Sequence, residues 1–192
     1  MSARPLGELR IIGGQWRSRR VAFEAADGVR PTPDRVRQTV FDWLAPRIEG
    51  ARCLDLFAGS GALGLEALSR GAGFVRFVES GRAQVARIGE ALQRLGATDR
   101  AELHAGDALA ELARAPAKRY DVVFLDPPYA SDLLGRALQN ITAVLAEDAR
   151  VYVEWPEDRR PALPANCDWV RDKAAGRVSF GLFTHVHQGS RA

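Results

Sequence analysis

The sequence predicts a doubly wound α/β fold, a mostly parallel sheet covered by helices on both faces, with a small hairpin and helix ahead of it. Three observations predict it. From about residue 51, short and nearly unbroken apolar runs alternate with helical patterns, as in a parallel sheet buried on both sides. A glycine-rich turn lies between the first of these runs and its helix. Residues 1–50 lack that alternation, so the chain divides into 1–50 and 51–192 by a shift in pattern rather than by a flexible linker.

Residues 9–23, "LRIIGG" and then "RSRRVAF", read as a short hairpin with a glycine pair at the break. In "RPTPDRVRQTVFDWLAPRI", Thr32 is a good N-cap, Pro33 suits the first helical position, and Asp34 favours a helix N-terminus. Val36, Val40, Phe41 and Leu44 recur at helical spacing, and Pro46 is expected to help end the helix. The alternating part reads as strand 52–57, helix 62–70, strand 74–79, helix 81–95, strand 101–104, helix 107–114, strand 120–125, helix 132–146 and strand 149–155. "CDWVRDK" and "RVSFGLFTHV" read as two closing antiparallel strands joined near Gly176.

The chain has 192 residues, 46% hydrophobic and 27% charged, which suits one globular domain with a real core. No apolar run approaches the roughly 18 residues of a membrane span, and "MSARPLGELR" lacks a signal peptide's apolar core. Cys53 and Cys167 are too few for a disulfide scaffold, and no Cys/His cluster has metal-ligand spacing. A cytoplasmic protein with reduced thiols, and no metal, is expected. The net charge of +3 permits a nucleic-acid partner without requiring one.

Gly59, Gly61 and Gly64 match G-x-G-x-x-G between strand and helix, where absent side chains let a nucleotide-like ligand approach the backbone. Asp55, just before the glycines, is awkward for a pyrophosphate and suits a cationic amine, as on the amino-acid tail of S-adenosylmethionine. Glu79 ends the next strand, about 20 residues on, where an acid can hold both ribose hydroxyls of either NAD or S-adenosylmethionine. Asp107 can accept from an adenine amine or cap the helix that follows; the two roles are compatible. Phe57, Ser60 and Ala108 complete the candidate cofactor-binding set.

"YDVVFLDPPYAS" ends a core strand in an acid, two prolines and an aromatic ring. Asp55, Glu79, Asp107 and Asp126 all stand at strand ends, where open α/β sheets bind ligands. Pro127 and Pro128 stiffen the loop and leave its carbonyls without competing amides, and Tyr129 offers a face for stacking a planar base. Such a site suits a planar group bearing an NH₂. An amine on a base is a poor nucleophile, because its lone pair is delocalised into the ring. Acceptors on its hydrogens can turn that lone pair towards an electrophile, so catalysis is mostly alignment and electrostatics. Asp126, Pro127, Pro128 and Tyr129 are the candidate catalytic set.

"DPPY" after an apolar strand, with "DLFAGSGALGLEALSRGA" before it, resembles the class I S-adenosylmethionine-dependent amino-methyltransferases, which are Rossmann-like. With "RIIGGQWRSRR" and "RPTPDRVRQTVFDWL" included, nearly the whole chain resembles the bacterial small-subunit ribosomal RNA guanine-N2 methyltransferases, the RsmD family. The resemblance implies a seven-stranded sheet with the last strand antiparallel. It implies methylation of one guanine N2 in 16S rRNA of an assembled or partly assembled small subunit. It places Asp55, Gly59, Gly61, Glu79 and Asp107 at the cofactor, and Asp126, Pro127 and Tyr129 at the guanine. Arg10, Arg17, Arg19 and Arg20 surround Trp16, and Arg30, Arg35 and Arg37 follow; together with Thr32 they form the expected RNA-contacting face of a monomer. Rival readings are a DNA or protein amino-group methyltransferase, an NAD-binding oxidoreductase, and a non-catalytic RNA-binding protein.

Overall fold

The computed structural model describes residues 6–25, 31–114, 119–129 and 131–186. Strands β1 (Leu6–Arg10) and β2 (Arg20–Glu24) pair antiparallel with Leu9 opposite Val21, and a short 3₁₀ turn, Gly14–Trp16, lies in their connection. Leu9, Val21 and Phe23 turn inward, and Glu24 of β2 accepts from Arg87 Nε at 3.0 Å.

Helix α1 (Asp34–Ile48) begins one residue later than a Thr32 cap would place it. Pro33 occupies the cap position with no side-chain capping bond, and the Thr32 hydroxyl is committed elsewhere. Pro46 does not end the helix, which runs on to Ile48. The carbonyl that a residue-46 amide would have met belongs to Asp42, which is exposed and can turn to water.

The rest alternates: β3 (Arg52–Asp55), α2 (Ala62–Ser69), β4 (Phe74–Glu79), α3 (Arg82–Leu95), β5 (Ala101–Ala105), α4 (Ala108–Arg114), β6 (Tyr120–Leu125), α5 (Leu133–Asn140), β7 (Leu145–Pro156), β8 (Cys167–Ala175) and β9 (Val178–His185). The helix expected over 132–146 stops at Asn140. A 3₁₀ turn, Ile141–Val144, replaces its end and brings Ile141 and Val144 inward on one side. Strand β7 starts earlier than expected because its first residues bulge away from β6, with Asp148 in the left-handed region at φ 58°.

The seven strands lie in the order β5-β4-β3-β6-β7-β9-β8, and only β9, the last, runs against the others. Alternate residues of each inner strand serve two cores. Val122 and Phe124 of β6 join Cys53, Val75 and Phe77 under α1, α2 and α3. Val123 and Leu125 join Leu54, Leu56 and Val78 under α4 and α5. Leu9, Ile11, Trp16 and Val21 of the amino-terminal segment belong to the first of these cores. Strands β3, β4 and β5 proceed one way across the sheet, while β6 returns to the other side of β3. The carboxyl ends of β3 and β6 therefore flank the crevice at which open sheets bind ligands. No helix among the described residues is long and apolar enough to cross a membrane.

Candidate active site

Asp55 ends β3 in nearly complete burial, and its Oδ2 accepts the Gly64 amide at 2.9 Å. Burial, with the charges of Asp126 and Glu79, pushes its pKa up to about 7, while the Gly64 amide pulls the other way. Gly59 and Gly61 take positive φ, 52° and 77°, so the loop turns tightly where a side chain would be strained. Gly64 serves packing instead. A Cβ there would lie 2.2 Å from the Phe77 ring, so glycine lets α2 sit close on β4.

Glu79, at the end of β4, accepts the Gly59 amide on Oε2 at 2.8 Å and the Gly81 amide on Oε1 at 2.6 Å. Each oxygen keeps a second lone pair for a ligand hydroxyl. Asp107 caps α4, since its Oδ1 accepts the Ala110 amide at 2.8 Å; it is exposed and retains its other oxygen. Ser60 and Ala108 are buried, and half-buried Phe57 packs on the second core.

Asp126 follows β6 and is partly buried. Its Oδ2 accepts from Thr32 Oγ1 at 3.1 Å, and burial raises its pKa to about 6 against that hydrogen bond. Pro127 is buried, Pro128 exposed, and Tyr129 is 44% exposed. The Pro128 carbonyl is not open to a ligand, because Ser131 occupies it with both its amide and its hydroxyl. That narrows the acceptors to the Asp126 carboxylate and the loop ahead of Pro128.

One acid escaped the sequence reading. Glu154 of β7 is buried, and it accepts from the Tyr129 hydroxyl on Oε1 and from the Tyr152 hydroxyl on Oε2 at 2.8 Å. Burial and the Asp126 charge push its pKa up to about 8. Its signal was the one that revealed the other acids: a carboxylate near the carboxyl end of an apolar strand, here "VYVEW".

The expected RNA face divides. Arg17, Arg19 and Arg35 are exposed, with no side-chain partner among the described residues. Arg10 pairs with Asp34 at 2.8 Å and Arg20 with Glu8 at 2.5 Å, all at the surface. Trp16 is not a stacking platform: it is 3% exposed, packed in the core with the Arg100 guanidinium over its ring. Arg37 is not a surface cation either. It is 1% exposed, donating to the carbonyls of Thr32 and Arg10 and pairing with Asp34 and Glu66. Buried Thr32 faces Asp126 rather than solvent. Arg30 lies outside the described residues.

Residues 9–184 match the family described as conserved hypothetical protein 95. The chain is 43% identical to ribosomal RNA small subunit methyltransferase D of Escherichia coli over 186 residues, 95% of this chain and 93% of that protein. The chain belongs to the RsmD family of methyltransferases. It is 39% identical over 182 residues to the Haemophilus influenzae protein of the same name, spanning 92% and 94% of the two chains. The solved structure of an Escherichia coli protein provisionally named a methyltransferase superposes with a TM-score of 0.85 at 42% identity, over 95% of this chain and all of that one. The RsmD-family fold thus brings Asp55, the glycine loop, Glu79 and Asp126 to one edge of the sheet, with Glu154 on the strand beside Asp126.

Proposed function

We propose that this chain transfers the methyl group of S-adenosylmethionine to the N2 amine of a guanine in 16S rRNA, within the small subunit or an assembly intermediate. The observation that carries the reading is the partly buried Asp126, held by Thr32 and followed by Pro127 and Tyr129, beside a glycine loop tied to two acids. The names of the family relatives, which act on small-subunit ribosomal RNA, support it.

The residues present fit S-adenosylmethionine. The left-handed glycines leave the loop backbone approachable, Glu79 has lone pairs for ribose hydroxyls, Asp107 has an oxygen for an adenine amine, and Asp55 favours a cationic tail. Bound there, it would supply a methyl group already activated by a positively charged sulfur. Asp126 and the loop at Pro127 accept the hydrogens of the target amine, which turns its lone pair out of conjugation and holds it in line. Tyr129, its hydroxyl tied to Glu154, presents its ring to the base. The carboxylate of Asp126 then takes the proton that the methylated amine must lose. The guanine leaves its stack to reach this point, at a cost of about a few kcal/mol.

Residues 1–50 form the RNA-contacting part in this reading and 51–192 the catalytic part. Arg17 and Arg19 of the hairpin connection are exposed cations with no side-chain partner among the described residues. Replacing both with alanine is expected to weaken subunit binding and lower the slope of log affinity against log salt by about 2, with S-adenosylmethionine affinity unchanged. Binding titrations at several salt concentrations check this, and an unchanged slope would assign RNA contact elsewhere.

The function is tested by transfer of labelled methyl to unmodified small subunits, naked rRNA and duplex DNA, followed by nucleoside analysis. N2-methylguanosine in the RNA is the expected product. Label in DNA or in protein would replace the reading with a rival amino-methyltransferase.

A further inference from the structure

The arrangement around Asp126 explains how an amine on a base is held. It does not explain why the base should be guanine, because adenine and cytosine also carry exocyclic amines. The bases differ at the ring nitrogens beside that amine. Guanine's amine lies between two ring nitrogens, one bearing a hydrogen that donates and one a bare acceptor; in adenine and cytosine the single ring nitrogen beside the amine is a bare acceptor. A guanine-selective site therefore needs a second acceptor next to Asp126.

Glu154 stands where such an acceptor is needed. Phe124 lies opposite Tyr152 and Leu125 opposite Val153, so Asp126 and Glu154 follow at the ends of neighbouring parallel strands. Strands so paired are about 4.8 Å apart, and alternation places both acids on the side of Phe124 and Tyr152. Glu154 also borders a cavity of about 470 Å³ that runs from the Pro127–Tyr129 loop to Leu134 and Leu138 of α5 and is not lined by Asp126, with Arg159 at its wall. Each carboxylate oxygen of Glu154 accepts one tyrosine hydroxyl and keeps a further lone pair. Arg159 is exposed without a side-chain partner among the described residues, and its guanidinium is the donor type that guanine O6 takes.

We propose that Glu154 selects guanine: its carboxylate accepts the ring N–H beside the amine that Asp126 holds. The inference rests on the reading of the chain as a guanine-N2 methyltransferase. With Glu154 ionised, adenine or cytosine in this place would set an acceptor against an acceptor, which is how polar sites reject wrong substrates; below about pH 8 a protonated Glu154 can donate to a bare ring nitrogen, so the discrimination strengthens as pH rises through that value. The ring N–H also compensates a carboxylate that burial alone disfavours, so Glu154 is ionised in the complex.

The test uses small subunits reconstituted with either guanine or 2-aminopurine at the mapped target position. 2-Aminopurine keeps the amine and lacks both the ring N–H and O6, so an Arg159→Ala variant is run alongside to set aside any preference that O6 contributes. The wild-type protein is expected to prefer guanine by on the order of 10²-fold in kcat/KM. In Glu154→Gln that preference is expected to fall to within a few-fold, since a carboxamide can turn either its oxygen or its NH₂ to the ring nitrogen. Equal wild-type rates on the two bases would overturn the proposal without recourse to any variant. A Glu154→Gln protein that is slower on both bases with its preference intact would also overturn it, leaving Glu154 as a support for Tyr129. Failure of the underlying function would show differently, as no N2-methylguanosine in unmodified subunits.

Discussion

Replacing Asp126 with alanine is expected to leave S-adenosylmethionine binding intact and to reduce methyl transfer by about 10²- to 10⁴-fold. Binding should survive because the cofactor side is held without Asp126. Asp55 is tied to the Gly64 amide, and Glu79 to the amides of Gly59 and Gly81. The fold should survive because Asp126 has one side-chain partner, the Thr32 hydroxyl, and its own ionised form is disfavoured by burial. Transfer should fail because the amine loses the acceptor that turns its lone pair and then takes its proton. Asparagine separates these two roles, since it keeps an acceptor oxygen but is not a base at neutral pH. Asp126→Asn with most of the rate would assign orientation alone; a loss equal to that of alanine would add proton acceptance. The pH dependence has a fixed sign. The raised pKa, about 6, means that the acid is ionised above that value and protonated below it. Wild-type transfer should therefore decline as pH falls through about 6, and the limb should vanish in the alanine variant. Calorimetric binding and labelled-methyl transfer check the prediction, and normal turnover in Asp126→Ala would remove Asp126 from the mechanism.

The sequence revealed the sheet and most of the site because both rest on local rules. Strand 74–79 is found as expected, since a buried parallel strand is an unbroken apolar run and its end is marked by Glu79. The same rule exposes Asp55 and Asp126, and applied to "VYVEW" it would have exposed Glu154. What the sequence hid is which surface each polar group meets. Arg37 looked like one arginine among several, yet it stands four residues before Phe41 and seven before Leu44, on the stripe that α1 buries. Only the fold shows that Glu66 and the carbonyls of Arg10 and Thr32 wait there to receive it. Trp16 looked exposed among arginines. It is the large apolar side chain of its turn, and α2 lies close enough for Ser69 Oγ to accept its backbone amide at 3.0 Å. Thr32 has good capping chemistry, but its hydroxyl meets a partner 94 positions away. Long-range partners of this kind leave no local signature.

Glu66→Ala is expected to destabilise the protein by about 3–5 kcal/mol, lowering Tm by roughly 10 °C, although Glu66 lies outside the proposed site. Glu66 is fully buried on α2. Its Oε2 accepts the Ile12 amide at 2.9 Å and Arg37 Nη1 at 3.4 Å. Its Oε1 accepts the Gly13 amide at 2.8 Å and Arg70 Nε at 2.7 Å. Alanine would leave two backbone amides without their acceptor and strip the buried Arg37 of its fully buried counter-charge, leaving it the half-exposed Asp34. Breaking one side of a buried pair costs more than replacing the pair with apolar groups. A Glu66→Leu, Arg37→Met double variant should therefore recover part of the loss. It should not recover all of it, because the amides of Ile12 and Gly13 stay unpaired whatever replaces Arg37. The damage should reach the site as well. Arg37 Nε holds the Thr32 carbonyl at 3.0 Å, and Thr32 holds Asp126, so loosening Arg37 loosens the proposed catalytic carboxylate. Thermal denaturation of both variants, with transfer measured well below their melting temperatures, checks the argument. A Glu66→Ala protein that melts with the wild type would show that apolar contacts and the Ser69 hydroxyl, which bonds the Trp16 amide and the Gly13 carbonyl, hold the amino-terminal hairpin to α2 without Glu66.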